Sequence, residues 1–208
     1  MDETTRERGV IEAKSLKAYF HEQLGSVLDR QGRRFSDDTC AYMVNLLHHF
    51  SRSDCFFEWY EERITLRPLA MLYGEAVHAR NLAERRAMLR RLGDIALFIA
   101  GVFGPSLERK TVGVDYYINM GGGAYDWLSD SLAATGDRSL SWRTFRELAE
   151  NFEAMVATLD DFADSSGMRG KVDVIGTEGT AAESGGAPAD EKSGLMLEVV
   201  CGSERTWH

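Results

Sequence analysis

The sequence predicts an all-α protein, built as a single globular bundle of about six or seven helices with a disordered C-terminal tail. Two observations lead to this prediction. Apolar residues recur every three or four positions through the first 164 residues, and Gly, Pro or capping residues separate the periodic stretches. Beyond residue 164 the composition changes to Gly, Ala, Ser and acidic residues, which bury too little apolar surface to offset the entropy lost on ordering.

The first three helices are predicted at residues 9–31, 37–51 and 54–63. Gly32 ends the first helix, whose apolar face includes Phe20 and Val27. Ser36, followed by two aspartates, is a favourable N-terminal cap for the second helix because its hydroxyl accepts a hydrogen bond from a free backbone N–H. Ser53 is expected to cap the short third segment in the same way.

A fourth helix is predicted at residues 67–80 and a fifth at 83–103. Pro68 suits the first turn of the fourth helix, where its missing N–H sacrifices no hydrogen bond. The second half of the fifth helix, IALFIAGVF, is apolar on all sides, so we expect it to lie at the centre of the bundle. Gly104 and Pro105 are expected to end it.

Two further helices complete the predicted bundle. The sixth, at residues 114–134, passes through three consecutive glycines. The last follows Ser141, which can cap it, and its apolar residues repeat with spacings of 3, 4, 3, 4 and 3 from Phe145 to Phe162. These boundaries leave a long C-terminal remainder without helical periodicity.

The chain is therefore divided into three parts. A charged N-terminal extension covers residues 1–8, and the helical domain covers residues 9–164. The flexible tail, at 165–208, contains two short apolar islands, residues 172–175 and 195–201. Either island can pair as a strand or dock as a peptide.

Charge and composition argue against several classes of protein. The formal net charge of -9 and the pI near 5.1 disfavour a general nucleic-acid-binding protein and attachment to an anionic membrane by charge. The charged N-terminus lacks the apolar region of a secretory signal peptide, and no apolar run approaches the roughly 20 residues that span a bilayer. Three scattered cysteines without metal-finger spacing are typical of a reducing compartment, so we predict a soluble cytoplasmic protein.

The segment YYINMGGGAYDW, at residues 116–127, raises the question of a ligand site. Its glycines match neither a Walker phosphate loop nor a dinucleotide-binding turn. Helical spacing continues through them, although three interior glycines cost about 2–3 kcal/mol relative to alanine. Close packing of a neighbouring helix is the favoured reason, with a ligand-facing surface or a kink as alternatives. The corresponding ligand-pocket residues are Tyr117, Gly121, Gly122 and Gly123.

Glu75 and His78 form an ExxH pair, which places both side chains on one face of a helix. Di-iron carboxylate bundles use two such pairs together with further carboxylates. Asp94, at the start of the apolar run, is the further carboxylate for an iron or manganese site. A solvated face, with Asp94 paired to Arg90 one turn earlier, is the simpler interpretation, and on that interpretation no cofactor is expected.

Five arginines lie close together in the otherwise acidic chain, at positions 80, 85, 86, 90 and 91. Such a group can bind a phosphate or an acidic protein surface. The ordinary alternative is a solvated helix face whose arginines pair with nearby glutamates. We assign Arg86, Arg90 and Arg91 as candidate contacts to an anionic partner.

Aromatic side chains are concentrated at Phe56, Phe57, Trp59 and Tyr60. These four residues fall within five positions and cannot all face one core, so some must face another helix, a subunit or a ligand. Coverage on both sides within a groove of the same chain is the alternative. This cluster is the main reason to predict self-association.

The sequence therefore favours a non-catalytic interaction or regulatory module that forms a homodimer or binds another protein. The alternative is a helical-bundle metal oxidoreductase, or a small-ligand-binding protein with a pocket near the glycine-containing helix. No GxSxG or HExxH motif is present in the sequence to indicate a particular enzyme.

Overall fold

The computed structural model describes residues 3–51, 58–60, 63–66, 68–107, 112–136, 141–168 and 197–198. Within these ranges helices dominate, which confirms the all-α class. The seven described helices are α1 (Glu3–Gln31), α2 (Asp37–Phe50), α3 (Leu69–Val77), α4 (Leu82–Leu107), α5 (Val114–Thr135), α6 (Trp142–Glu150) and α7 (Phe152–Ser166). Three short strands accompany them: β1 (Glu58–Tyr60), β2 (Arg63–Leu66) and β3 (Leu197–Glu198).

Local signals in the sequence account for several helix ends. Gly32 follows α1 with a φ of 63°, a left-handed conformation that glycine adopts without steric cost. The Ser36 hydroxyl accepts a hydrogen bond from the Thr39 backbone N–H at 3.3 Å, as its predicted capping role requires. Ser141 caps α6 in the same way, accepting from the Thr144 N–H at 3.4 Å.

Helix α4 is the central element of the bundle and packs against α3, α5 and α7. Residues 95–100 are all buried, so the apolar run lies in the core as expected. Two glycines permit the close approach of neighbouring helices. A Cβ atom on Gly93 would lie 2.5 Å from the Tyr125 ring, and one on Gly101 would lie 2.4 Å from the Cβ atom of Leu159.

Two predicted segments differ from the structure between α2 and α4. The short helix predicted at 54–63 is wrong, because β1 and β2 form an antiparallel pair there. Aromatic and β-branched residues such as Trp59 and Ile64, which lie opposite each other, favour this pleated arrangement. Helix α4 also continues past Gly104 and Pro105, since a proline in the last turn removes only one terminal hydrogen bond.

The helix predicted after Ser141 is divided into α6 and α7 at Asn151. The Asn151 side-chain amide donates to the Glu147 carbonyl at 3.0 Å, and the Asn151 backbone N–H donates to the same carbonyl. The apolar spacing runs through this point unchanged, so periodicity alone did not reveal the break. The break places α7 against α4 while α6 packs on α5.

The two ends of the chain differ from the predicted boundaries. Helix α1 begins at Glu3, earlier than the predicted residue 9. Strand β3 pairs with β2, with Leu197 opposite Leu66, which is the strand alternative for the second apolar island. The rest of the predicted disordered tail, residues 169–196 and 199–208, lies outside the described residues. In the described part of the chain, no helix has a stretch long and apolar enough to span a bilayer.

Candidate ligand-binding groove

The three glycines of α5 have three different environments. A Cβ atom on Gly121 would lie 2.3 Å from Cζ of Phe152 and 2.8 Å from the Cβ atom of Ala96. At Gly122 the nearest atom would be Cβ of Phe152 at 3.7 Å, an ordinary contact. No heavy atom would lie within 4 Å of a Cβ atom on Gly123, which therefore faces open space. Close packing explains Gly121 but not Gly123.

The open space beside Gly123 is a groove of about 440 Å³ between α3, α4 and α5. We call it the α3–α5 groove. Its volume falls in the range of about 300–1,000 Å³ that is usual for small-molecule sites. The α3 wall consists of Tyr73, Ala76 and Val77, while Leu89 of α4 closes the inner side.

One face of α5 forms the opposite wall. Asn119, Gly123 and Trp127 are spaced by four residues, so they lie one above another along the helix. At a rise of 1.5 Å per residue, Asn119 and Trp127 are about 12 Å apart along the axis. The wall therefore has an amide at one end, an indole at the other, and the bare glycine between them.

Arg85 supplies the cationic group of the α3–α5 groove. Its Nε donates to the Ala76 carbonyl at 2.9 Å, and its Nη2 donates to the Val77 carbonyl at 2.8 Å. The guanidinium carbon lies 5.7 Å from the centre of the Trp127 ring. These contacts hold the guanidinium at the C-terminal end of α3, where the helix dipole favours a cation.

The predicted ligand-pocket residues divide between core and groove. Tyr117 is buried, with only 3% of its surface exposed, and burial raises the pKa of its hydroxyl. Gly121 is covered by Phe152, as the packing interpretation expects. Of the four residues, Gly123 alone is among the described residues that line the α3–α5 groove.

The arginines assigned to an anionic partner make contacts within the chain. Arg86 donates from Nε to the Ser131 hydroxyl at 2.8 Å and from Nη2 to the carbonyl of the same residue, near the end of α5. Arg90 lies over the Tyr42 ring at 5.3 Å and forms a 3.8 Å ion pair with Asp94. Arg91 is exposed on α4. Arg85, from the same cluster of arginines, is the one among the described residues that lines the α3–α5 groove.

Asp94 lies in a network of hydroxyl groups. Its Oδ1 accepts hydrogen bonds from the hydroxyls of Tyr42 and Tyr125, the latter at 2.6 Å. Burial raises the pKa of the Asp94 carboxyl, and the tyrosine hydrogen bonds and Arg90 lower it by less. Asp94 thus forms the ion pair with Arg90 that the simpler interpretation of the sequence predicts.

The proposed metal ligands are not gathered in one place. His78 follows α3, where its Nδ1 lies 2.7 Å from the Gly74 carbonyl. Glu75 is half-buried on α3. Across the described residues, no three His, Cys, Asp or Glu side chains form a group suited to a metal ion, so Glu75, His78 and Asp94 do not form one.

The aromatic cluster is described only in part. Phe56 and Phe57 lie outside the described residues, whereas Trp59 and Tyr60 belong to β1. Among the described residues, the most exposed large apolar side chains lie on α3 and at the start of α4. Large apolar side chains there are 44–55% exposed, namely Met71, Tyr73, Val77 and Leu82.

Sequence reasoning missed most of the residues that line the α3–α5 groove. The four-residue spacing of Asn119, Gly123 and Trp127 was a usable signal, since it places a small residue between two larger ones on one face. The wall formed by Tyr73 and Val77 had no comparable signal, because it depends on how α3 packs against α4.

Comparison with known proteins gives no relative from which a function can be carried over. No protein-family model, curated protein or solved structure matches the chain. The groove and its side chains are therefore the basis for the functional proposal.

Proposed function

We propose that this protein is a non-catalytic binding protein that takes a small, mainly apolar ligand in the α3–α5 groove. The observation that carries the proposal is the groove of about 440 Å³ between three helices, which opens at Gly123. Glycine in a helix interior is disfavoured by about 1 kcal/mol relative to alanine. Phe152 accounts for the glycine at position 121, but no neighbour accounts for the one at position 123.

The composition of the groove supports binding of a small, mainly apolar molecule. Its walls are largely apolar and aromatic, with a few polar groups, which is the usual composition of small-molecule sites. None of the described residues that line it is a His, Cys, Asp or Glu. These are the side chains that most often act as a general base or nucleophile.

The test is to fill the groove from Gly123. In Gly123→Leu the new side chain starts from a Cβ atom that meets no neighbouring atom within 4 Å, at a position that lines the groove. We expect wild type to bind the neutral probe 4-phenylbutan-1-ol, measured by calorimetry and by saturation-transfer NMR, and Gly123→Leu to lose that binding. The matched control is Gly25→Leu on α1, another helical glycine with no atom within 4 Å of an added Cβ.

Both variants gain the same side chain in a helix interior, so their comparison separates a filled groove from a general change in the protein. Loss of binding in Gly123→Leu alone supports the proposal. Equal binding by wild type and both variants would place the probe elsewhere and refute it. Absence of binding to wild type would refute it as well.

We propose self-association as a second function, because several large apolar side chains of α3 and the start of α4 are exposed. Met71 and Tyr73, whose side chains are 55% and 52% exposed, lie on α3 and are followed by Val77 and Leu82. Exposed apolar surface of this kind is typical of an interaction site. A second copy of the chain is the partner proposed here, and the β1 aromatic residues remain predicted contacts.

Sedimentation velocity over a range of protein concentrations tests this second function. We expect wild type to dimerise and Met71→Lys to shift the equilibrium towards monomer. Tyr19→Lys on α1 is the control, because Tyr19 is also 40% exposed but lies on another helix. A wild-type monomer at every concentration would rule out self-association and leave ligand binding in the groove untouched.

A further inference from the structure

We propose that the ligand of the α3–α5 groove is an anionic amphiphile: a small molecule with a carboxylate at Arg85 and an apolar or aromatic body along the walls. The inference rests on the proposed binding function and specifies its ligand class. It is carried by the state of the Arg85 guanidinium, which is held in place and has no acidic partner among the described residues.

Arg85 differs from other arginines of the bundle in this respect. Arg146 forms ion pairs with both Asp126 and Asp130, and Arg90 forms one with Asp94. Around Arg85 no described carboxylate lies within the 4.0 Å of an ion pair. In a chain with a formal net charge of -9, acidic residues are plentiful, yet the arginine that lines this groove has no carboxylate partner among the described residues.

The guanidinium is also preorganised. The Ala76 and Val77 carbonyls accept hydrogen bonds from Nε and Nη2, and the Trp127 ring lies beside the group at 5.7 Å. The carbonyls orient the cation but do not neutralise it. The remaining nitrogen, Nη1, donates to none of the described residues and is available to an incoming anion. Because the side chain is already held, a ligand would bind without the entropy loss of ordering it.

The rest of the groove fits the body of such a ligand. From Trp127 the α5 wall runs past Gly123 to Asn119, over about 12 Å. Tyr73 and Val77 face it from α3 and offer apolar and aromatic contact. A carboxylate at the Arg85 end thus leaves the body of the molecule against Gly123, and Asn119 can hydrogen-bond a polar group at the far end.

Three probes with the same body test the charge preference: 4-phenylbutanoate, 4-phenylbutan-1-ol and 4-phenylbutylamine. We expect the anion to bind wild type at least about tenfold more tightly than the alcohol, since hydrogen bonds between charged groups contribute at that level. The amine is expected to bind most weakly. The preference for the anion should shrink as ionic strength rises, because Arg85 is partly exposed.

The assignment to Arg85 is tested with Arg85→Gln, compared with Arg91→Gln. Both variants remove one positive charge from α4, but Arg91 is exposed and does not line the groove. We expect Arg85→Gln to reduce the anion-to-alcohol ratio to within about twofold while Arg91→Gln keeps it, with helicity checked by circular dichroism. If Arg85→Gln fails to fold, the wild-type probe series and its salt dependence still test the anionic ligand class.

The outcomes distinguish the ligand class from the binding function. Equal binding of anion and alcohol, both lost in Gly123→Leu, would overturn the anionic ligand and keep the groove as a binding site. An anion preference that persists in Arg85→Gln would overturn the role of Arg85. If no probe binds wild type, or if binding is insensitive to Gly123→Leu, both the function and the ligand class are overturned.

Discussion

Alanine substitutions at Gly121 and Gly123 should change stability by different amounts, although the two glycines lie two residues apart on the same helix. Each adds one methyl group to the interior of α5. Each removes the backbone freedom of glycine from the unfolded chain and so gains about 1 kcal/mol of helix propensity. Since this gain is common to both, it cancels when the two variants are compared.

The difference between them comes from what the new methyl group meets. At position 121 it would lie 2.3 Å from Cζ of Phe152 and 2.8 Å from the Cβ atom of Ala96. The Phe152 ring is itself only 3% exposed and packs against Tyr125 at 5.9 Å, so it has little room to move. Overpacking of this kind costs about 1–3 kcal/mol. At position 123 the methyl group meets no atom within 4 Å.

We therefore expect Gly123→Ala to be more stable than wild type by up to about 1 kcal/mol. Gly121→Ala should be less stable than Gly123→Ala by about 1–3 kcal/mol. Urea denaturation followed by circular dichroism measures both, and an unchanged dependence on urea would show that the extent of unfolding is the same. Equal stability of the two variants would refute the close approach of Phe152 to α5 at Gly121.

Two further predictions concern pH and buried carboxyl groups. Burial raises the pKa of Asp94 above its usual value of 3.8, which disfavours the ionised form in the folded state. Wild type should therefore lose stability relative to Asp94→Asn as pH rises from about 4 through the raised pKa of Asp94. Urea denaturation at each pH measures this, and a stability difference that does not depend on pH would contradict the prediction. Partial burial raises the pKa of Glu147, but hydrogen bonds from Ser36 and Thr39 outweigh it and lower the pKa below 4.5. The stability advantage of wild type over Glu147→Gln should be full above about pH 5 and lost as pH falls through the lowered pKa of Glu147. An advantage that persists in acid would show that these hydrogen bonds do not require the negative charge of the carboxylate.

Short-range information in the sequence determined most of the helices. The periodicity of apolar residues and the caps at Ser36 and Ser141 depend on interactions within about one helical turn, which a sequence displays directly. The central burial of IALFIAGVF followed for a related reason: a helix that is apolar on every side is stable only when other elements surround it. The bundle and its buried centre were therefore predictable.

Only the tertiary structure determined what each residue within that pattern contacts. Gly121 and Gly123 belong to one run of identical residues, yet one is covered by Phe152 of another helix and the other faces a groove. Arg85 stood in a cluster of five similar arginines, and its distinction is the pair of carbonyls at the end of α3. These outcomes depend on which atoms of distant segments are brought opposite a helix face. Side-chain contacts of that range are set by the packing of whole helices, which local spacing does not specify.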